Sequence, residues 1–172
     1  DARSLAPAVS EETSLAWSPS GDELAYVSSV EGKADIWVVN PDTGATRLVS
    51  GGEGRHAQPR WSPDGREIGF ISGAEGGWDV WRASSTGGAP PTRVTSSGEV
   101  GLFDWLAGGQ AVLYLTRDSE IFAQPVNGGE PELIREAVTF SVAPNGERYI
   151  HIQAVENYYR FYGEPVPAPF VP

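Results

Sequence analysis

The sequence predicts an all-β repeat fold, and three observations carry this prediction. The segment Trp61-Ser62-Pro63-Asp64-Gly65 recurs as Trp17-Ser18-Pro19-Ser20-Gly21, as Trp105-Leu106-Ala107-Gly108-Gly109, and more faintly as Val142-Ala143-Pro144-Asn145-Gly146. The spacing is about 44 residues for the first two steps and about 37 for the last, the length of one four-stranded propeller blade. The 21 glycines and 14 prolines separate short apolar runs, as expected for many strands joined by tight turns. We therefore predict a β-propeller of four blades.

The second copy shows how one blade is built. Residues 58–61 predict an innermost strand that runs into residues 62–65, where proline presets the first corner and glycine takes a left-handed conformation. Residues 67–71 and 79–83 alternate with a two-residue period and predict the second and third strands. A turn at Gly87-Gly88 leads to a fourth strand, so four antiparallel strands complete the blade.

The other copies follow the same order, but the last one lacks a fourth strand. Arg3-Ser4-Leu5-Ala6 precedes the first tryptophan at nearly the distance expected of a fourth strand. We expect residues 1–8 to complete the fourth blade, because pairing the two ends of the chain protects exposed strand edges. The predicted propeller domain spans residues 1–163, with blades at residues 12–50, 56–96, 100–135 and 137–163 plus 1–8.

The order Trp-Ser-Pro-Asp-Gly, x-Ile-x-Phe, Asp-Ile/Val-Trp, Gly-Gly and Arg-Leu/Val resembles the TolB-type propeller repeat over residues 12–155. This repeat occurs in the periplasmic TolB protein and, in related form, in the non-catalytic propellers of prolyl-oligopeptidase-like peptidases. The resemblance implies a bacterial envelope setting, either periplasmic or secreted. TolB has six blades and an additional α/β domain, neither of which fits in 172 residues.

This difference in length leaves three architectures open. The chain forms a closed four-bladed ring, supplies half of an eight-bladed ring made by two chains, or is a piece of a larger propeller. An open half-ring exposes apolar blade faces, which a soluble monomer tolerates badly. We favour the self-contained ring, because the displaced strand at the amino end accounts for the missing one.

Composition argues against several functions. A net charge of -11 repels nucleic acid and anionic membrane surfaces at long range. The sequence has no cysteine for a thiolate site, and no apolar run approaches the ~20 residues that cross a bilayer. It also lacks the Gly-x-Ser-x-Gly, phosphate-loop and His-Glu-x-x-His motifs. We predict no catalytic residue, no cofactor, no metal and no membrane insertion.

The segments that lead into the innermost strands supply the candidate binding residues. If these segments converge at one end of the channel, they form a mostly acidic mouth that attracts a cation or a basic peptide. The predicted binding residues are Glu11, Glu12, Arg55, His56, Glu99 and Glu136. Acidic loop residues are usually just solvated, and a solvated loop position is the favoured interpretation of His56. His151 takes the place of Phe70 and Tyr114, which predicts a buried position.

The aromatic residues divide into core and surface candidates. Trp17, Trp61 and Trp105 share one blade position, and Trp37 and Trp81 share another, which predicts packing between blades. Trp78 lies off this pattern and is a candidate surface contact, with local packing as the plainer alternative.

Residues 164–172 are rich in proline and predict an extended tail. Its apolar side chains, Val166, Phe170 and Val171, are candidates for docking on a neighbouring subunit. Docking on the chain's own propeller, or disorder, is the plainer alternative.

We expect a non-enzymatic protein-binding or scaffold propeller that engages a protein partner or another copy of itself. Two alternatives are a structural subunit that self-assembles through its tail and seam, and the non-catalytic gating domain of a larger peptidase. A lyase or hydrolase with carboxylates at the mouth ranks last.

Overall fold

Four antiparallel sheets form the part of the chain that this computed structural model describes, residues 14–30, 33–156 and 158–167. Blade 1 contains β1 (Leu15–Trp17), β2 (Leu24–Val30), β3 (Lys33–Val39) and β4 (Thr46–Leu48). Blade 2 contains β5 (His56–Trp61), β6 (Glu67–Ser72), β7 (Asp79–Ser84) and β8 (Thr92–Arg93). Blade 3 contains β9 (Val100–Trp105), a short 3-10 helix (Ala107–Gly109), β10 (Ala111–Thr116), β11 (Glu120–Pro125) and β12 (Glu132–Glu136). Blade 4 contains β13 (Thr139–Val142), β14 (Arg148–Val155) and β15 (Tyr158–Pro165).

The predicted all-β propeller of four blades is confirmed. Strands pair in chain order within each sheet, and the first strands of successive blades contact one another around the channel. Blade 4 has three strands among the described residues. The expected completion of this blade by residues 1–8 lies outside the described residues, as do Glu11, Glu12 and Phe170.

The hairpin turn after each innermost strand forms as its sequence predicts. In blade 2, Gly65 adopts φ 72° and donates its N–H to Ser62 O at 2.9 Å. The Asp64 carboxylate accepts hydrogen bonds from the Ser62 hydroxyl at 2.7 Å and the Arg66 N–H at 3.0 Å. The same backbone turn recurs at residues 18–21, so glycine is required there by a positive φ.

Indole side chains fasten blade 2 to blade 1 and blade 3 to blade 2. Trp61 Nε1 donates to Ala16 O and Trp105 Nε1 donates to Arg60 O, each at 3.0 Å. Trp61 is 9 % exposed and Trp105 is 3 % exposed, as predicted for core residues. The same prediction is wrong for Trp17, which is 58 % exposed because no blade packs over it.

Blade 4 is also uncovered, on its opposite face. Ile150 is 50 % exposed and Phe161 is 72 % exposed. In a closed ring this face would pack against Trp17, so the exposures contradict the favoured closed ring. The described blades form an open arc.

The start of the proline-rich tail is part of blade 4. The strand β15 runs through Glu164 and Pro165, and Val166 donates its N–H to Glu147 O at 2.9 Å. Val166 is buried in the cluster between blades 3 and 4. Docking of Val166 on a neighbouring subunit is therefore a wrong prediction, because this side chain already packs on its own chain.

Gly146 should be the least replaceable of the turn glycines. A Cβ at this position would lie 2.3 Å from Ala107 N, whereas a Cβ at Gly21 would meet nothing within 4 Å. Both residues have positive φ, so Gly21→Ala should cost about 1 kcal/mol and Gly146→Ala at least about 2 kcal/mol more. Urea unfolding of the two variants measures the difference, and equal losses would contradict the close approach.

The hydrogen bond from the Trp105 indole to Arg60 O predicts a difference in stability between two tryptophan variants. Trp105→Phe leaves Arg60 O without its donor and creates a void, so the free energy of unfolding should fall by about 2–4 kcal/mol. Trp17→Phe is the matched control, because it changes the same blade position where it is exposed, and should stay within about 0.5 kcal/mol of wild type. A similar loss in both variants would show that the seam bond is not what stabilises this position.

Candidate functional site

Three of the predicted mouth residues occupy equivalent positions at successive seams between blades. Arg55 forms a parallel bridge with Ala34, and Glu99 forms the same bridge with Trp78. Glu136 lies at the equivalent place in the third seam, because the backbone N–H of the following residue, Ala137, donates to Ser119 O at 2.7 Å. The side chains of Arg55, Glu99 and Glu136 are all exposed.

Glu99 and Glu136 line two separate cavities rather than one common cavity. Glu99 borders a cavity of about 250 Å³ together with Ser97 and Tyr114. Glu136 borders another of about 360 Å³ together with Val138 and Gln153. Binding at the mouth residues therefore stays a prediction, and each carboxylate faces the seam of its own blade.

His56 is buried, so its interpretation as a solvated loop residue is wrong. The strand β5 begins at His56 itself, two residues earlier than predicted, and a bulge between Ala57 and Arg60 separates it from the rest of the strand. Its ring packs edge-on against Phe70 at 5.1 Å, and its Nε2 lies 3.7 Å from Asp35 Oδ1. Burial lowers the pKa of His56, against the opposing attraction of Asp35.

His151 is fully buried, as predicted. It stacks on Tyr162 with 5.2 Å between ring centroids, and Arg135 lies 3.4 Å from its Nε2. Burial, reinforced by the Arg135 charge, lowers the pKa of His151. Both histidines are thus core residues of the fold.

Trp78, the candidate surface contact, is half-buried. It packs on the hydrophobic cluster between blades 2 and 3, and its backbone N–H donates to Gly98 O at 2.9 Å. The next residue, Asp79, is buried and accepts hydrogen bonds from Thr95 and Arg93. Local packing therefore accounts for Trp78, and its role as a binding contact stays a prediction.

The place where all four blades meet is the other end of the channel. The last residues of β1, β5, β9 and β13, with the turns that follow them, surround a cavity of about 300 Å³ that we call the turn cavity. It is lined by Ala16, Trp17, Pro19, Arg60, Trp61, Pro63, Asp104, Trp105, Val142, Ala143, Pro144 and Gly146. The signal for it was the repeated turn motif, whose residues are brought together by the repeat.

The turn cavity contains one acidic and one basic side chain. Burial raises the pKa of Asp104, although the backbone N–H of Trp105 donates to its Oδ1 at 2.9 Å and Arg60 attracts its charge. Arg60 donates to Pro59 O at 3.1 Å. Indoles, a partly desolvated carboxylate and a guanidinium can hold a polypeptide segment by packing, ion pairing and hydrogen bonding.

Metal binding and membrane spanning can be assessed for residues 14–30, 33–156 and 158–167. Within these ranges, His, Asp and Glu side chains do not gather in groups of three or more suited to a metal ion. The helical segment found there is too short to span a bilayer.

A family model described as the TolB beta propeller domain matches residues 4–162 of this chain. No curated protein sequence matches it.

Solved structures share the fold at low sequence identity. The TolB structure from Acinetobacter baumannii is 19 % identical with a TM-score of 0.73, and the match covers 89 % of this chain and 40 % of that one. A protein assigned as TolB from Agrobacterium tumefaciens is 23 % identical with a TM-score of 0.65, covering 91 % of this chain and 59 % of that one. The β-propeller domain of the Trilobed protease from Pyrococcus furiosus, whose structure reveals an open velcro topology, is 18 % identical with a TM-score of 0.63, covering 88 % and 53 %. This chain thus spans about half the length of the proteins that it matches.

The buried histidines predict that acid destabilises the fold. The pKa values of His56 and His151 lie below the usual 6.5, so the unfolded chain binds more protons once the pH drops below that value. The free energy of unfolding should therefore decrease between about pH 7.5 and about pH 5.5, measured by urea unfolding. His56→Val, which places there the residue that blade 3 has at position 100, should reduce the decrease. An unchanged pH dependence in this variant would contradict the burial argument.

Proposed function

The chain belongs to the TolB β-propeller domain family, and on this basis we propose that it is a non-enzymatic protein-binding module. One observation carries the proposal: the four innermost strands deliver their ends to a single cavity that holds indoles, a carboxylate and a guanidinium. A rigid blade scaffold presents these groups with little loss of conformational freedom on binding.

The turn cavity suits a basic polypeptide segment. A partly buried carboxylate such as Asp104 is desolvated and gains more from a cationic partner than a fully solvated carboxylate does. The net charge of -11 attracts basic segments at long range.

We place this activity in the bacterial envelope, in the periplasm or outside the cell. Family membership supports this location, since the family takes its name from the periplasmic TolB protein. The sequence also lacks cysteine, so its stability does not depend on the redox state of its surroundings.

A second candidate is the gating propeller of a larger peptidase. The match to the propeller domain of the Trilobed protease favours it, because that propeller is one domain of a protease. In this case the arc would guard a catalytic domain, and peptides would pass the channel without stable binding.

The binding proposal can be tested with a phage-displayed library of random peptides selected on the purified protein. We expect the recovered peptides to be rich in lysine or arginine, with binding that weakens as salt is added. Asp104→Asn keeps the acceptor for the Trp105 N–H but removes the charge, and should weaken binding by at least about tenfold.

The matched control is Glu132→Gln, which removes an exposed charge from the outer strand β12. It should leave binding unchanged. Failure to recover any peptide above background, or equal effects of the two substitutions, would rule out the turn cavity as the binding site.

A further inference from the structure

Each blade has two different faces, and the seams bury one against the other. We call the face turned to the following blade the front face and the opposite one the back face. In blade 1 the front face consists of small and medium side chains that the Trp61 side of blade 2 covers completely. These side chains are Ala25, Val27, Ile36 and Val38.

Blade 4 carries the same front-face positions, and they are uncovered. Strand pairing places Ile150 opposite Ser141, as Ala25 lies opposite Ala16, and it places Phe161 where Ile36 lies in blade 1. Phe161 is 72 % exposed. Its counterparts in the first three blades are all fully buried: Ile36, Val80 and Ile121.

The matching half of this interface is exposed at the other end of the arc. Trp17 lies on the back face of blade 1, at the position from which Trp61 and Trp105 reach across their seams. Leu15 lies on the same face, and it is as exposed as Trp17. Within residues 14–30, 33–156 and 158–167, one chain therefore presents both an indole and a front face that no other blade covers.

We propose that a second copy of this chain covers the front face of blade 4 with the back face of its own blade 1. The Trp17 indole of the second copy packs over Ile150 and donates its N–H to Ser141 O. This carbonyl corresponds to Ala16 O and Arg60 O, the acceptors at the two indole seams within the chain. A cavity of about 390 Å³, lined by Ser141, Ile150 and Gly163 among others, lies where the indole would enter.

The repetition within the chain is the argument for a second copy as the occupant. The interface continues a seam that the chain already forms three times, and each copy supplies the complementary surface that the other lacks. Contacts between unlike faces are heterologous, and two copies joined through two equal seams close into a ring. Such a ring would also remove the exposed apolar ends that make an arc prone to association. The inference does not rest on peptide binding, although Trp17 also lines the turn cavity, because it follows from the faces of the first and last blades.

Sedimentation velocity over a range of concentrations tests the proposal on the full chain. Wild type should self-associate, and Trp17→Ala should raise the dissociation constant by at least about tenfold, as expected when a central interface tryptophan is truncated. Leu133→Ala is the matched control, because Leu133 is an exposed apolar residue of blade 3 outside both ends and should leave association unchanged. Wild type that stays monomeric, or equal effects of the two substitutions, would overturn the proposal.

A mixing experiment tests the head-to-tail arrangement. Phe161→Glu spoils the front face of blade 4 and leaves Trp17 intact, whereas Trp17→Ala does the reverse. Each variant alone should be monomeric, while an equal mixture should form a dimer with one seam, because Trp17 of one chain meets the intact front face of the other. Both residues are exposed, so far-ultraviolet circular dichroism should match wild type. A mixture that remains monomeric would overturn the head-to-tail arrangement.

Discussion

The contact on which the arrangement of the first three blades depends is the tryptophan that reaches back across the first and second seams. Its apolar rings fill the gap between two sheets, and its single N–H satisfies a backbone carbonyl of the preceding innermost strand. The receiving face is shaped for it. At the second seam, a Cβ on Gly69 would lie 2.8 Å from the Phe103 ring and 3.1 Å from that of Trp105, so only glycine lets the blades approach this closely. The size, polarity and shape of this one side chain therefore link blade 2 to blade 1 and blade 3 to blade 2.

The third seam shows what replaces the tryptophan when it is lost. The Val142 side chain has no N–H to donate, and the buried aromatic contacts come instead from Phe140 and Tyr149. Polar contact moves outward, where Arg135 of blade 3 binds Glu164 of blade 4. Glu164 lies opposite Tyr149 in β15, and Val166 enters the cluster just after this strand. The N–H of Val166 donates to Glu147 O at 2.9 Å, as the N–H of Ser85 donates to Arg66 O at 2.9 Å in blade 2. The start of the apparent tail is thus the regular end of a third strand, and its side chains are part of the third seam.

The sequence predicts contacts that lie within one repeat better than those that depend on what lies beside it. The turn at Ser62 to Gly65 involves only its own residues, and its hydrogen bonds are those expected from proline, aspartate and glycine. Trp17 and Trp61 have the same local sequence, yet one is exposed and the other buried, because burial depends on a preceding blade. The sequence does not predict the burial of His56 for a related reason. A bulge after Ala57 places the start of β5 at His56, and the local sequence has no turn residue that indicates this bulge.

The same distinction explains why the candidate site lies at the turns. The segments before the innermost strands vary in sequence, which favoured them as a binding mouth. Parallel bridges, however, tie Arg55 and Glu99 to the preceding blade. Strand ends are similar in sequence because they must reverse direction, and this similarity places them at the same height around the axis. Their differences then collect in one cavity: Arg60 and Asp104 occupy the position that is Ala16 in blade 1 and Ser141 in blade 4. Because the carbonyl at this position receives the indole in the first two seams, its side chain is free to vary without weakening the seam, and the repeat can carry a binding specificity there while its packing stays constant.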